Sequence, residues 1–284
     1  MQENIRIHYT MRAPVSHIGE TASTGSVFQT VLTKDGRLPI ITGNSMRGTL
    51  RDCSAIDLLK TVGCKVDKEI FNILFSGGNL NGTMKNDVAK AKAVREKFPN
   101  ISLFGGGLGD MIMQGKLLAG NLYPLCIETE EMLGEEANGI SWHSLIDEME
   151  MTRMDNSKDD RMEKFIENAD AETKAKASTQ MRYSVQYMAV GTVFVQDVVF
   201  VDCSELEKGA FYAALIEWFN KPVLGGMSAK GFGIFDGDAG AVYERNATVV
   251  VNPEINELVE KYHDFVKENI KAETFDILVS KGGK

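Results

Sequence analysis

Two short segments near opposite ends of the chain carry residue types suited to binding phosphate. The first is Gly43-Asn44-Ser45-Met46-Arg47-Gly48-Thr49-Leu50-Arg51, and the second is Gly225-Gly226-Met227-Ser228-Ala229-Lys230-Gly231-Phe232-Gly233. Each combines a cation with backbone N–H groups that have little side-chain bulk around them. Such groups attract anions when a turn or a helix start aims them outward. Neither segment is a mononucleotide motif. Gly226 and Gly231 have P-loop spacing, but Phe232 stands where the lysine is required. The run Gly105-Gly106-Gly107-Leu108-Gly109-Asp110 fails G-x-G-x-x-G because Asp110 takes the last position. The phosphates are therefore expected to belong to a polymer.

Within these segments, Arg47 and Arg51 lie one helical turn apart and share a face. At a helix N-terminus they would add charged donors to free N–H groups, a phosphate clamp. The plainer alternative is a solvated helix face with surface ion pairs. Ser45 offers a hydroxyl or a backbone donor. Lys230 sits in the loop with Met227, among glycines that let a nucleic-acid backbone come close. Its alternative is a simple turn lysine. His17 is a candidate for a sugar or phosphate contact, against the commoner reading of a satisfied loop histidine. Phe104 precedes a glycine run and is read either as a base-stacking ring or as a core aromatic. Arg182 begins a strand and is a candidate phosphate contact.

The net charge of −9 over 284 residues argues at first against nucleic acid. Its distribution softens that objection. Residues 128–172 hold 15 of the 40 acidic side chains and 4 of the 31 basic ones, leaving 27 basic against 25 acidic elsewhere. An acidic insertion on a near-neutral body still permits a local basic groove, because local charge sets the field in a cleft. Cys53, Cys64, Cys126 and Cys203 include no C-x-x-C. They are expected as buried free thiols in a reducing cytoplasm rather than as a disulfide framework or metal site. No apolar run suits a membrane span, and the N-terminus lacks a signal-peptide pattern. No cofactor motif appears.

The elements that must position these residues follow from periodicity and punctuation. Ile5, Ile7, Tyr9 and Met11 alternate as in a half-buried strand that Pro14 ends. Residues 19–25 are predicted as a loop. Val27–Thr33 and Leu38–Ile41 are predicted strands around the turn Lys34-Asp35-Gly36. A helix is predicted over 46–59, capped from Gly43-Asn44-Ser45, with Leu50, Cys53, Ile56 and Leu59 as its buried stripe. A second helix is predicted over 87–98 with Pro99 as its stop, followed by strand character over 116–127. Residues 128–179 form a charged, Met-rich insertion of short helices or a hairpin. Residues 185–201 are the clearest strand region, with a bend at Gly191-Thr192. Ser204-Glu205-Leu206-Glu207 is a capping box opening a helix to Phe219. Strands follow at 234–235 and 247–251. Asn252-Pro253 then starts a last helix over about 254–270. The order is strand, helix, strand, insertion, strand, helix, strand. It predicts an α+β, modified ferredoxin-like or RNA-recognition fold. The domain reading is a core of 1–127 and 180–251, an inserted thumb over 128–179, and a C-terminal helix and tail over 252–284.

Four segments together resemble the backbone subunit of CRISPR effector complexes, the Cas-seven family of the RAMP superfamily, nearest to its type III and type IV-like members. They are Pro14–Gly19, Pro39–Arg51, Leu103-Phe104-Gly105, and the stretch from Arg182 through Gly191-Thr192 to Gly225–Gly233. The resemblance spans roughly residues 5–236 and implies copies that polymerise along a guide RNA. The helix start would hold the RNA backbone, and the guide would pair with a target strand beside other effector subunits in a prokaryotic cytoplasm. By position, Met151, Met154 and Arg153 match the family's thumb, where an apolar side chain wedges between bases and an arginine meets phosphate. Amphipathic packing is the alternative for these residues. Target-cutting type III relatives carry an aspartate in the loop region between the first strand and the helix start. The matching position here falls near Phe28 or Gln29, and Glu20 is the one acidic residue at the start of that region. The expectation is a non-catalytic subunit. A metal-dependent ribonuclease using Glu20, Asp35 or Asp110 is one rival, and a nucleotide-binding enzyme is another.

Overall fold

A computed structural model describes residues 2–21, 25–34, 36–78, 87–109, 111–153, 181–245 and 248–279. The chain begins with β1 (Gln2–Met11), β2 (Ile18–Thr21), β3 (Gly25–Phe28), β4 (Thr30–Thr33) and β5 (Gly36–Pro39). Four helices follow: α1 (Gly43–Val62), α2 (Lys68–Ser76), α3 (Val88–Lys97) and α4 (Pro99–Phe104). Short strands β6 (Gly106–Leu108), β7 (Met111–Met113), β8 (Leu117–Ala119) and β9 (Tyr123–Pro124) lead to the short α5 (Glu130–Leu133). Then come β10 (Ile146–Arg153), β11 (Met181–Met188), β12 (Val193–Val201) and α6 (Glu205–Phe219). The chain continues through β13 (Phe235–Asp238), β14 (Val242–Arg245), β15 (Thr248–Val251) and α7 (Pro253–Asn269).

The main sheet runs β15-β14-β13-β1-β12-β8, with β9 also paired to β12. Its centre, β13-β1-β12-β8, is antiparallel throughout. With α1 joining β1 to β8 and α6 joining β12 to β13, this is the ferredoxin-like βαββαβ arrangement that the element order predicts. Alternation along β1 sends Ile7, Tyr9 and Met11 into the core beneath the helices. Tyr9 packs edge-on to Phe235 at 5.2 Å and against Trp218 at 5.6 Å. Its buried hydroxyl donates to Gln196 at 2.9 Å, and the Gln196 amide donates to the Gly120 carbonyl, so this buried polar pair is satisfied. α1 packs on α6, and α6 on α7. At Gly209 an added Cβ would strike the Leu258 backbone, so the α6–α7 approach requires glycine there.

The opposite face of β1 carries charge. Arg6 forks onto Asp197, its register partner on β12, at 2.7 and 2.8 Å. It also reaches Glu135, just past α5, at 2.9 Å, and His8 meets the same carboxylate at 2.9 Å. Burial alone would raise the Glu135 pKa, but hydrogen bonds from His8 and Arg6 hold it below the usual carboxylate value. The segment just past α5 is thus clamped across the outer face of the sheet.

Several local expectations change. Val27–Thr33 is two strands in different sheets, divided at Gln29. There the backbone N–H donates to the His17 carbonyl and the carbonyl accepts from Ile40. Residues 185–201 likewise divide between two sheets, with Gly191 at φ 87° in the turn. The predicted loop over 19–25 holds part of β2 and the start of β3. Pro99 starts α4 at its first helical position, where its missing N–H costs nothing. Helix α1 begins at Gly43 and buries Met46, Leu50, Ala55 and Leu58, whereas Cys53, Ile56 and Leu59 are only half-buried. Helix α2 was not predicted, although Asp67 caps its start and Gly77, at φ 79°, ends it. The four cysteines are free, with Cys126 buried and the others half-buried. No described helix is long and apolar enough to cross a membrane.

Candidate nucleic-acid interface

A four-residue segment after β1, Pro14 to His17, draws distant parts of the chain together. The Pro14 carbonyl accepts from Gly233 N–H at 2.7 Å, and the Ser16 carbonyl accepts from Gly226 N–H at 2.7 Å. Both ends of the C-terminal glycine-rich loop are thereby tied to it. Val15 exchanges two backbone hydrogen bonds with Met188, at the end of β11. His17 Nε2 accepts the Thr42 backbone N–H at 3.2 Å, which fixes the start of α1. Two glycine-rich segments about 180 residues apart in sequence are thus anchored to neighbouring residues.

That contact also defines the His17 proton. A ring nitrogen accepting an N–H carries a lone pair, so the imidazole is neutral with its proton on Nδ1. Burial lowers the His17 pKa in the same direction. His17 acts as a brace for the helix start, the satisfied-histidine alternative.

At the head of α1, Thr42 is the N-cap and its hydroxyl accepts the Ser45 N–H at 3.3 Å. Gly43 N–H donates to Asn121 Oδ1 at 3.0 Å. The Ser45 backbone donor is therefore taken by the cap, and its hydroxyl is the group it can offer. No acidic residue stands in the first turn of α1. An added Cβ at Gly43 would strike the carbonyls of Ala119 and Gly120, whereas one at Gly48 would meet nothing within 4 Å.

Arg47 and Arg51 are half-buried and, among the described residues, not ion-paired. Both guanidinium groups donate to the Phe104 carbonyl, and Arg51 also reaches the Gly105 carbonyl at 3.2 Å. These carbonyls end α4, where the helix dipole is negative. Among the described residues, neither arginine has a carboxylate within salt-bridge distance. Burial lowers the Arg51 pKa, and the nearby Arg47 charge lowers it further, with Asp52 opposing. Arg47 Nε is buried without a hydrogen-bond partner. Two mutually repelling cations held, among the described residues, by carbonyl dipoles form a site that an anion would relieve.

Phe104 corrects one expectation. Its ring is 2 % exposed within the core and has no free face for a base. It contributes its backbone carbonyl to the two arginines.

In the C-terminal loop, Met227 adopts φ 62°, an unusual conformation for a side chain other than glycine. A short turn over Ser228–Lys230 follows, then Gly231 at φ 83°. Lys230 is exposed. Its Nζ lies 4.7 Å from the centroid of the Tyr183 ring and donates to the Tyr183 hydroxyl. Tyr183 was not singled out in the sequence, since one tyrosine in a β-rich run carries no signal of its own.

Strands β10 and β11 form an antiparallel hairpin ladder in which Met151 faces Tyr183 and Thr152 faces Arg182. Alternation puts Met149, Met151, Tyr183 and Tyr187 on one side. It puts Arg182 on the other, with Glu148 and Glu150. Met151 and Arg182, both expected at the RNA, thus occupy opposite faces. Arg153 ends β10 opposite Met181, and Met154 lies outside the described residues.

Of the rival acidic residues, Glu20 is in β2 opposite Val27, while Asp35 and Asp110 lie outside the described residues. Phe28 is buried in the core. Among the described residues no group of three or more His, Cys, Asp or Glu is placed to hold a metal ion. The central glycine run forms β6, paired residue by residue with β7, rather than a phosphate-cradling loop.

No family model matches the chain, and no curated protein sequence matches it. Among solved structures, a chain described as "Type IV-B CRISPR Complex" superposes with a TM-score of 0.56. The match covers 88 % of this chain and 94 % of that chain, at 16 % sequence identity. The two chains share a fold.

Proposed function

We propose that this protein is a backbone subunit of a CRISPR effector complex. It binds guide RNA through the phosphate backbone without reading sequence, and further copies assemble along the same RNA to present it for target pairing. The observation that carries the proposal is the pair of uncompensated arginines, Arg47 and Arg51, on a helix whose head is braced by the same short segment that holds the Lys230 loop. A polyanion passing that segment would meet three cations and two glycine-rich stretches. The fold shared with a chain of a type IV-B CRISPR complex supports the reading, as do the sequence resemblances. In this proposal the subunit is non-catalytic, uses no cofactor and acts beside other effector subunits.

The test is purification of the protein from cells that also express a CRISPR guide, measuring particle mass and the ratio of nucleic-acid to protein absorbance. A large, RNA-rich particle is expected, and it should be lost when Arg47 and Arg51 are replaced together. A nucleic-acid-free monomer, even with partner subunits supplied, would overturn the proposal. Metal-dependent cleavage of a complementary RNA, abolished by Glu20→Ala or Asp110→Ala, would overturn its non-catalytic half.

A further inference from the structure

We infer that Tyr183 is a nucleobase-stacking residue, and that Lys230 moves from the tyrosine ring to the adjoining phosphate when single-stranded RNA is bound. This rests on the RNA-binding proposal but adds a contact that the phosphate chemistry does not require. Lys230 is exposed and its ammonium sits over the Tyr183 ring, where its hydrogen-bond partner is the phenol. Among the described residues no carboxylate neutralises it. Tyr183 is half-buried, its register partner is Met151, and Met149 lies diagonally across on the same side, opposite Val185. Around the tyrosine that side of the hairpin carries Met149, Met151 and Val185, with Asp147 farther along bonded to Tyr187 and Lys230 over the ring, while the acidic Glu148 and Glu150 project from the opposite side.

A base needs a flat apolar surface, and its phosphate needs a cation a few ångströms away. This corner supplies both. A base stacked on an aromatic side chain is worth more than an exposed cation–π pair, so the exchange runs toward stacking. The ammonium released from the ring then finds a phosphate within reach of its flexible stem. Because every base has a π face, the contact favours bases over bare backbone without selecting among them.

The experiment measures binding of a single-stranded oligouridylate and of an abasic oligomer with the same length and charge. Wild type, Tyr183→Phe, Tyr183→Leu and Lys230→Ala are compared at several salt concentrations. Tyr183→Leu, which keeps an apolar side chain in the strand, should lose about 5- to 150-fold on the oligouridylate. It should lose nothing on the abasic oligomer and keep the salt dependence unchanged. Tyr183→Phe should bind both as wild type does. Lys230→Ala should lower the salt slope by about 0.7 on both. Equal losses on both oligomers in Tyr183→Leu would show that the tyrosine only fastens the loop, and would overturn the inference. Unchanged binding would overturn it too. In either case salt-dependent binding by wild type would leave the RNA proposal standing. Failure of wild type to bind either oligomer would remove both.

Discussion

The outer face of the main sheet and the first turns of α1 are both charged, and they handle charge in opposite ways. On the sheet, Arg6 is met by Asp197 and Glu135, and His8 by the same glutamate. Arg6 and His8 each have a carboxylate there, so this network is closed and fastens the segment just past α5 to the sheet. On α1, Arg47 and Arg51 face only carbonyl oxygens among the described residues. Paired charges of the first kind hold a fold together, whereas unpaired charges of the second kind are open to a ligand. In a ferredoxin-like scaffold the exposed sheet face is an obvious place for nucleic acid to lie. Here that face is spanned by its own ion network and shows no aromatic side chain from β1 between Arg6 and Thr10.

Replacing both arginines tests this contrast most severely. Arg47→Ala with Arg51→Ala should reduce the slope of log affinity against log salt by roughly 1.4, at about 0.7 per phosphate contact on a single strand. The loss should be the same for every RNA sequence. An unchanged slope, measured by fluorescence anisotropy, would take both residues out of the interface.

The closed network predicts the reverse outcome. Glu135→Ala removes the carboxylate that meets His8 and leaves Arg6 on Asp197 alone, at a site where the Glu135 carboxylate is 26 % exposed, and should cost about 1 kcal/mol of stability. RNA affinity and its salt slope should not change. The pH dependence has a definite sign. The folded-state pKa of Glu135 lies below its unfolded value, so its contribution is complete above about pH 4.5. It is lost as pH falls through the lower, folded value. Denaturant melts of wild type and variant should therefore converge in acid. A stability gap that persists at low pH would mean the carboxylate acts by packing.

The two helix-start glycines divide in a similar way. Gly43→Ala forces a Cβ into the Ala119 and Gly120 carbonyls and should destabilise the fold. Gly48→Ala meets nothing and removes a helix-interior glycine, so it should stabilise α1 by about 1 kcal/mol. If the space at Gly48 serves an approaching RNA backbone, the same change weakens RNA binding while raising the melting temperature. Parallel gains in both would remove Gly48 from the interface.

Those glycines also mark what the sequence makes legible. The strand–helix alternation, the Ser204 capping box and the Asn252-Pro253 helix start are local signals, and local geometry obeys them. Both basic glycine-rich segments are visible for the same reason. Their convergence is not, because the second segment is held by N–H groups donating to the Pro14 and Ser16 carbonyls, which any residue type offers, and the first by one histidine ring. The inward turn of Arg47 and Arg51 is equally silent, since it depends on where α4 ends. Phe104 misleads because a Phe-Gly pair reads alike whether the ring or the carbonyl is what matters. Arg182, a candidate phosphate contact at a strand start, and Met151, a thumb candidate by resemblance, are separated by strand alternation.

His17 offers the smallest effect and the finest distinction between brace and ligand. Its Nε2 accepts the Thr42 N–H, so protonating the ring would break the bond that sets the start of α1. Burial lowers its pKa in the folded chain. The unfolded histidine titrates near 6.5, so the bond's contribution is whole above about pH 6.5 and is lost as pH falls through the lower, folded value. NMR titration of the ring should give a value below 6.5, and Thr42 amide exchange should quicken in step with it. RNA then enters as a second variable. A phosphate close to the ring favours the charged imidazolium and would raise the titration point on binding, whereas a brace facing Thr42 would keep its low value. A rise above 6.5 in the RNA-bound protein would make His17 a phosphate ligand after all and count against the brace; an unmoved value would confine phosphate contact to the arginines and Lys230.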